Sequence, residues 1–180
     1  CPAWSMMAKK LFPEHADCIS MALTPMTLTA RLIKRHHSNA KVVFIGPCAA
    51  KKLEAMRTDI RSDVDFVLTF EEMDGIFDAR HVDVEKIEED PEGVNDASMD
   101  GRNFAVAGGV AKSVVDVIHE RYPDKEIKVA NAEGLKECRK LLTMAKAGKY
   151  NGYLLEGMAC PGGCVAGQEP CSLLRSPRHP

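Results

Sequence analysis

Apolar positions along this chain switch between two spacings. Residues 4–11 and 26–35 place apolar side chains three and four apart, as on one helix face, whereas Lys41-Val42-Val43-Phe44-Ile45 is a short β-branched run stopped by Gly46-Pro47, as a buried strand would be. Asp65-Phe66-Val67-Leu68 repeats the strand signal before a helix near residues 71–77. Ile127-Lys128-Val129-Ala130 repeats it again before a helix near 135–147, and Tyr153-Leu154-Leu155 is the fourth strand. This alternation predicts an α/β fold with the strands in a sheet, so that the loops after Ile45 and Leu155 lie at the strand C-terminal ends where such sheets bind ligands. Residues 83–100 carry eight acidic side chains, one Lys, one Pro and one Gly with no period, and read as a solvated surface loop. No internal repeat or low-complexity tract is visible.

Composition narrows the function by exclusion. The 24 basic and 26 acidic residues nearly cancel, which gives no electrostatic case for nucleic acid or a membrane surface. No apolar stretch approaches the roughly 20 residues that span a bilayer, and the start carries no basic segment followed by an apolar one. At 180 residues the chain can remove about two-thirds of its unfolded surface from water, so it needs no disulfide staples. The seven cysteines are an odd number, and in a chain of this size they point to metal binding or redox chemistry in a reducing, cytoplasmic compartment.

Three segments concentrate that chemistry. Glu156-Gly157-Met158-Ala159-Cys160-Pro161-Gly162-Gly163-Cys164 sets two cysteines among residues with almost no side chain, a backbone suited to close approach and to a thiolate metal site. Gly46-Pro47-Cys48-Ala49-Ala50-Lys51-Lys52-Leu53-Glu54 follows a strand, and Cys1-Pro2-Ala3-Trp4 opens the chain. Cys1, Cys48, Cys160 and Cys164 together supply the four thiolates that an iron–sulfur cluster takes. A structural zinc module is the bland rival, but zinc favours a second cysteine pair or histidines at short spacing. Here only one such pair exists, and none of the six histidines has a ligand-like partner.

In order, the three segments resemble the end of the first, the whole of the second and most of the third active-site motif of the [FeFe]-hydrogenases, the iron-only enzymes that interconvert H2 with protons and electrons. The resemblance runs over residues 1–167, with looser support from Thr24-Pro25-Met26 and Gly108-Gly109-Val110. It implies one lobe of the hydrogenase active-site domain, and an upstream half that this chain, beginning inside the first motif, does not include. It also implies a [4Fe–4S] cluster on Cys1, Cys48, Cys160 and Cys164. Cys164 would bridge to a two-iron subsite bearing CO, cyanide and a dithiolate, the whole forming the H-cluster. Lys51 is similar to the residue that hydrogen-bonds a cyanide, Glu54 completes its motif as a partner for that lysine, and Met158 resembles the methionine packed over the two irons. Pro25, Met26 and Pro47 complete the expected cofactor-binding set.

The implied partners are ferredoxin or accessory iron–sulfur domains as electron donor and hydrogenase maturation proteins for assembly. Met26 and Gly46 depart from typical catalytic members and resemble divergent or sensory branches. A non-catalytic hydrogenase-like iron–sulfur protein, for sensing or cluster assembly, is therefore the alternative, and the isolated segment is expected to be inactive. Cys18 and Cys138 read as packing residues, while residues 168–180, including Cys171, read as a disordered or atypical tail.

Overall fold

A computed structural model of the protein describes residues 1–88 and 96–167. In chain order it contains α1 (Pro2–Leu11), α2 (Pro25–His36), β1 (Val43–Gly46), α3 (Ala50–Ala55), β2 (Phe66–Thr69), α4 (Phe70–Ala79), α5 (Met99–Asn103), α6 (Gly109–Arg121), β3 (Lys128–Glu133), α7 (Leu135–Lys146) and β4 (Tyr153–Met158). The α/β class holds, with one difference. Among the described residues the strands form two separate parallel pairs, β1 with β2 and β3 with β4, rather than one sheet. The chain divides into two compact units accordingly, one of residues 1–20 and 94–167, the other including residues 21–93.

In the first unit, β3 and β4 pair from Lys128 opposite Tyr153 to Glu133 opposite Met158, and α7 makes the crossover that a parallel pair requires. Helix α1 buries Ala8 and α7 buries Leu142; with Phe12 they form a core that Trp4, Met7 and Ile19 flank. Cys138 on α7 is fully buried, and its Sγ donates to the carbonyls of Ala132 and Met158, both at 3.4 Å. Burial pushes its thiol pKa up, because an apolar site disfavours the thiolate, so Cys138 packs as expected. Cys18 does not. It is exposed at the end of a 3₁₀ turn, Pro13–Cys18, because that turn has no buried residue and presents no apolar face to the core.

In the second unit, β1 and β2 pair from Val43 opposite Phe66 to Gly46 opposite Thr69. Met26 and Ala30, one turn apart on α2, form a core with Val64, flanked by Val42, Phe44, Ala55 and Val67. Only one face of this pair is covered. The alternate positions Val43, Ile45 and Phe66 are exposed, although parallel strands usually bury both faces. Arg31 and Lys34 on α2 pair with Asp63 and Asp65, both at 2.7 Å, tying the helix to the approach of β2. Thr69 and Glu72 form a capping box at the start of α4, with the Glu72 carboxylate accepting from the Thr69 N–H at 2.9 Å, a signature legible as Thr-x-x-Glu.

The acidic segment is only in part a loop. A 3₁₀ turn, Val84–Lys86, is capped by the Asp83 side chain, and Ser98 caps α5. Residues 89–95 of that segment and 168–180 of the tail, with Cys171, lie outside the described residues.

Candidate metal centre

Both cysteine segments open two residues past the C-terminal end of a parallel strand, Cys48 after β1 in the second unit and Cys160 after β4 in the first. Cys1, Cys160 and Cys164 belong to the first unit and Cys48 to the second. All four are half-buried.

The first unit builds its loop chiefly from backbone. Gly163 sits at φ 88° and ψ −164°, a region essentially reserved for glycine, and a Cβ there would lie 2.5 Å from the Ala105 carbonyl oxygen. That close approach lets the Cys164 N–H donate to Ala105 O at 2.7 Å, the Ala107 N–H donate to Gly162 O at 3.3 Å, and Val106 bridge Gly163. The segment between α5 and α6 therefore positions Cys164. Two carboxylates secure the arrangement. Glu133, at the end of β3, accepts the Gly162 N–H at 2.6 Å. Glu156, buried on β4, accepts the N–H groups of Gly108 and Ala111 at 2.8 and 2.6 Å, holding α6 by its N-terminus, where a negative charge is favourable.

Cys1 reaches this region through α1. It is the N-cap residue of that helix, and Trp4, in the first turn, lies where a Cβ on Gly157 would have to be. The indole thus fits against the strand three residues before Cys160. Met158, the last residue of β4, is 5% exposed.

The second unit builds its loop from charge. Cys48 leads into α3, on which Lys51 Nζ donates to Glu54 Oε2 at 2.7 Å, with the two side chains 13% and 4% exposed. Glu54 Oε1 accepts from Thr24 at 2.6 Å and from Thr27 at 3.4 Å. Thr24 is the N-cap of α2, whose first helical residue is Pro25, so Thr24-Pro25-Met26 is fixed to α3 through this carboxylate. Pro25 is exposed and Met26 is a core residue. Lys51 Nζ also lies 5.9 Å from the Phe44 ring centroid, within cation–π range. The same ring fills the space a Cβ on Gly46 would need, which gives that glycine a packing reason. Pro47 links β1 to the Cys48 turn and is half-buried.

Among the described residues no three His, Cys, Asp or Glu side chains form a ready-made cage for a metal ion. The donor chemistry still suits an iron–sulfur centre, which takes thiolates from loops. The first unit also presents a buried indole N–H beside the cysteine segments with no partner in the protein. The Thr24–Glu54 bond, the Glu156 cap and the Trp4–Gly157 fit were not read from sequence. An acidic residue inside an otherwise apolar strand was the available signal for Glu156, since such a group is seldom buried without partners.

Comparison with known proteins agrees with these motifs. The family model described as iron only hydrogenase large subunit, C-terminal domain, matches residues 1–168. The periplasmic [Fe] hydrogenase large subunit of Nitratidesulfovibrio vulgaris is 28% identical over 210 residues, covering 93% of this chain and 49% of that protein. Cytosolic iron-sulfur assembly component 3 of Bos taurus is 27% identical over 217 residues, covering 93% of this chain and 45% of that protein. In fold, the chain matches an [FeFe]-hydrogenase whose structure concerns oxygen inactivation of the H cluster, with a TM-score of 0.71 and 23% identity over 99% of this chain and 60% of that one. The chain spans about half the length of these curated relatives. It belongs to the family formed by the C-terminal domain of iron-only hydrogenases.

Proposed function

We propose that this member of the family takes part in the reversible interconversion of H2 with protons and electrons. Cys1, Cys48, Cys160 and Cys164 would hold a [4Fe–4S] cluster, and Cys164 would be shared with a two-iron subsite. The bound metal centre supplies the redox chemistry. The chain's own residues ligate, orient and shield. The observation that carries the reading is the part-buried Lys51–Glu54 pair three residues beyond Cys48, in which the carboxylate is buried and the ammonium half-buried. An ammonium drawn largely out of water is costly to desolvate unless its donors are used, and Glu54 takes only one of the three. The others suit an anionic ligand, the role the resemblance gives Lys51. Glu54 and Thr24 would orient the ammonium, while Met26 and Met158 would supply apolar walls that keep water out.

The electron partner would be ferredoxin or an accessory iron–sulfur domain, with dedicated maturation proteins building the two-iron subsite in the cytoplasm. Among the described residues no helix is long and apolar enough to cross a membrane. A second reading, cluster binding for assembly or sensing without H2 turnover, is favoured by the similarity to an assembly component and by Met26 as a core residue where a polar group would serve catalysis.

Anaerobic reconstitution of the chain with iron and sulfide tests the shared part. About four irons per chain and a reduced-cluster EPR signal are expected, with both lost in Cys160→Ala. Bound zinc with no EPR signal would overturn the proposal. H2 turnover by the natural full-length protein after maturation separates the two readings, and sustained activity that Lys51→Met abolishes supports the catalytic one.

A further inference from the structure

Trp4 carries a polar atom that the protein itself does not satisfy. Its Nε1 is buried and lacks a hydrogen-bond partner, and among the described residues only His15 Nε2 shares that condition. Native structures rarely leave a buried N–H unpaired, and an exception calls for an ordered water, a bound ion or ligand, or a functional role. The surroundings make the choice of Trp informative. The indole flanks the Ala8, Phe12 and Leu142 core, a contact a Phe ring would make without an orphan donor. Its nitrogen edge instead lies against Gly157, where any Cβ would collide with Nε1 and Cδ1.

This edge stands where two cysteine segments of one unit meet. Trp4 is in the helical turn that the Cys1 carbonyl opens by accepting the Ser5 N–H at 3.0 Å, and Gly157 comes three residues before Cys160. The protein offers this N–H no acceptor, whereas iron-bound thiolates and sulfides on these segments would be anionic acceptors. We propose that Trp4 Nε1–H donates a hydrogen bond to an iron-bound sulfur, either the thiolate of Cys1 or Cys160 or a sulfide between them. Trp4 is then a positioning residue that tunes the cluster potential, and the inference rests on the cluster reading above. Donation to sulfur favours the reduced, more negative cluster, since hydrogen bonds to the sulfurs are among the groups that set such potentials.

The chain has a single tryptophan, so it can be replaced globally by benzothienylalanine, which keeps the ring shape and exchanges N–H for sulfur. Trp4→Phe is the genetic counterpart. After anaerobic reconstitution, an EPR-monitored redox titration should show about a tenfold loss in the reduced-to-oxidised ratio at fixed potential, which is ~59 mV downward for one electron. Iron content should match the parent's. The apo form should melt no lower with the analogue, because no protein hydrogen bond is removed. An unchanged midpoint potential in analogue chains that hold the full cluster would overturn the proposal. So would a lower apo melting temperature combined with an unchanged potential, which would place the N–H on a structural water. If the parent chain itself takes up no cluster, the cluster reading fails and this proposal falls with it. That outcome is told apart by the iron content of the parent.

Discussion

The two cysteine loops begin alike and are held in opposite ways. Each starts two residues past the end of a parallel strand. The loop after β1 is fixed by side-chain charge, with Lys51, the buried Glu54 and Thr24 in one part-buried chain of hydrogen bonds. The loop after β4 is fixed by backbone, with Gly162, Gly163 and Cys164 laid against residues 105–107. A charge-built support keeps polar donors beside its cysteine and depends on both partners being present. A backbone-built support brings the main chain close enough to hold two cysteines four positions apart, and it depends on the absence of a Cβ.

The contrast is broken most severely by removing one partner of the charged pair. Glu54→Ala should cost up to about 3–5 kcal/mol, the range for leaving a largely buried charge without its counterpart, and at ~2–4 °C per kcal/mol it should lower the melting temperature by up to about 10 °C. Lys51→Met combined with Glu54→Leu should recover most of that loss, because a matched apolar pair has no uncompensated charge. If Glu54→Ala melts with the parent, charge does not hold this loop.

Gly163→Ala tests the other support. The glycine-only backbone conformation costs a residue with a Cβ about 1–3 kcal/mol, and the clash with Ala105 O adds to it. A loss on the order of 3 kcal/mol in chemical denaturation is expected, while Ala49→Gly in the charge-built loop should cost well under half as much. Equal losses would remove the distinction between the loops.

Glu156→Gln is gentler. It keeps one acceptor for the N-terminus of α6 and turns the other into a donor facing an N–H, at about 1–3 kcal/mol. Amide exchange should accelerate at Gly108 and Ala111, and unaltered protection there would show that the carboxylate does not hold the helix.

The smallest effect is a pH response confined to the second unit. Asp65 is held down to about 2 by hydrogen bonds from the Lys34 ammonium and then from the Val42 N–H. A carboxyl depressed in the folded state stabilises it above the ordinary Asp value of ~3.9, and that contribution fades as pH falls from about 4 to about 2. Because the group is reached by solvent, the loss is slight. Asp65→Asn should flatten the stability profile across this window, and a profile as steep as the parent's would assign the acid response elsewhere.

Much of the local structure was written in short-range pattern. The four strands form where short apolar runs stop at Gly or polar residues, and α1, α2, α4 and α7 lie within a few residues of their predicted bounds. Helix α6 escaped because Val110, Val114, Val115, Val117 and Ile118 are β-branched, and their propensity reads as strand until tertiary packing overrides it. Helix α3 is too short, at six residues, to show a period. The division into two parallel pairs was also illegible, since strand patterns specify that strands pair but not with which partner.

For the site, sequence alone determined the family, the loops that carry the candidate cysteines and the Lys51-x-x-Glu54 spacing, which places both side chains on one helix face whatever surrounds them. Only the tertiary structure decided that Thr24 and Thr27 complete the Glu54 network, that Glu156 holds the start of α6, that Ala105 positions Cys164, and that Trp4 fills the space beside Gly157. Each of those contacts joins residues 27 to 153 positions apart. A periodic pattern records only which face of an element is apolar, and the identity of a distant partner is fixed when the chain closes and buried polar groups must find acceptors and donors.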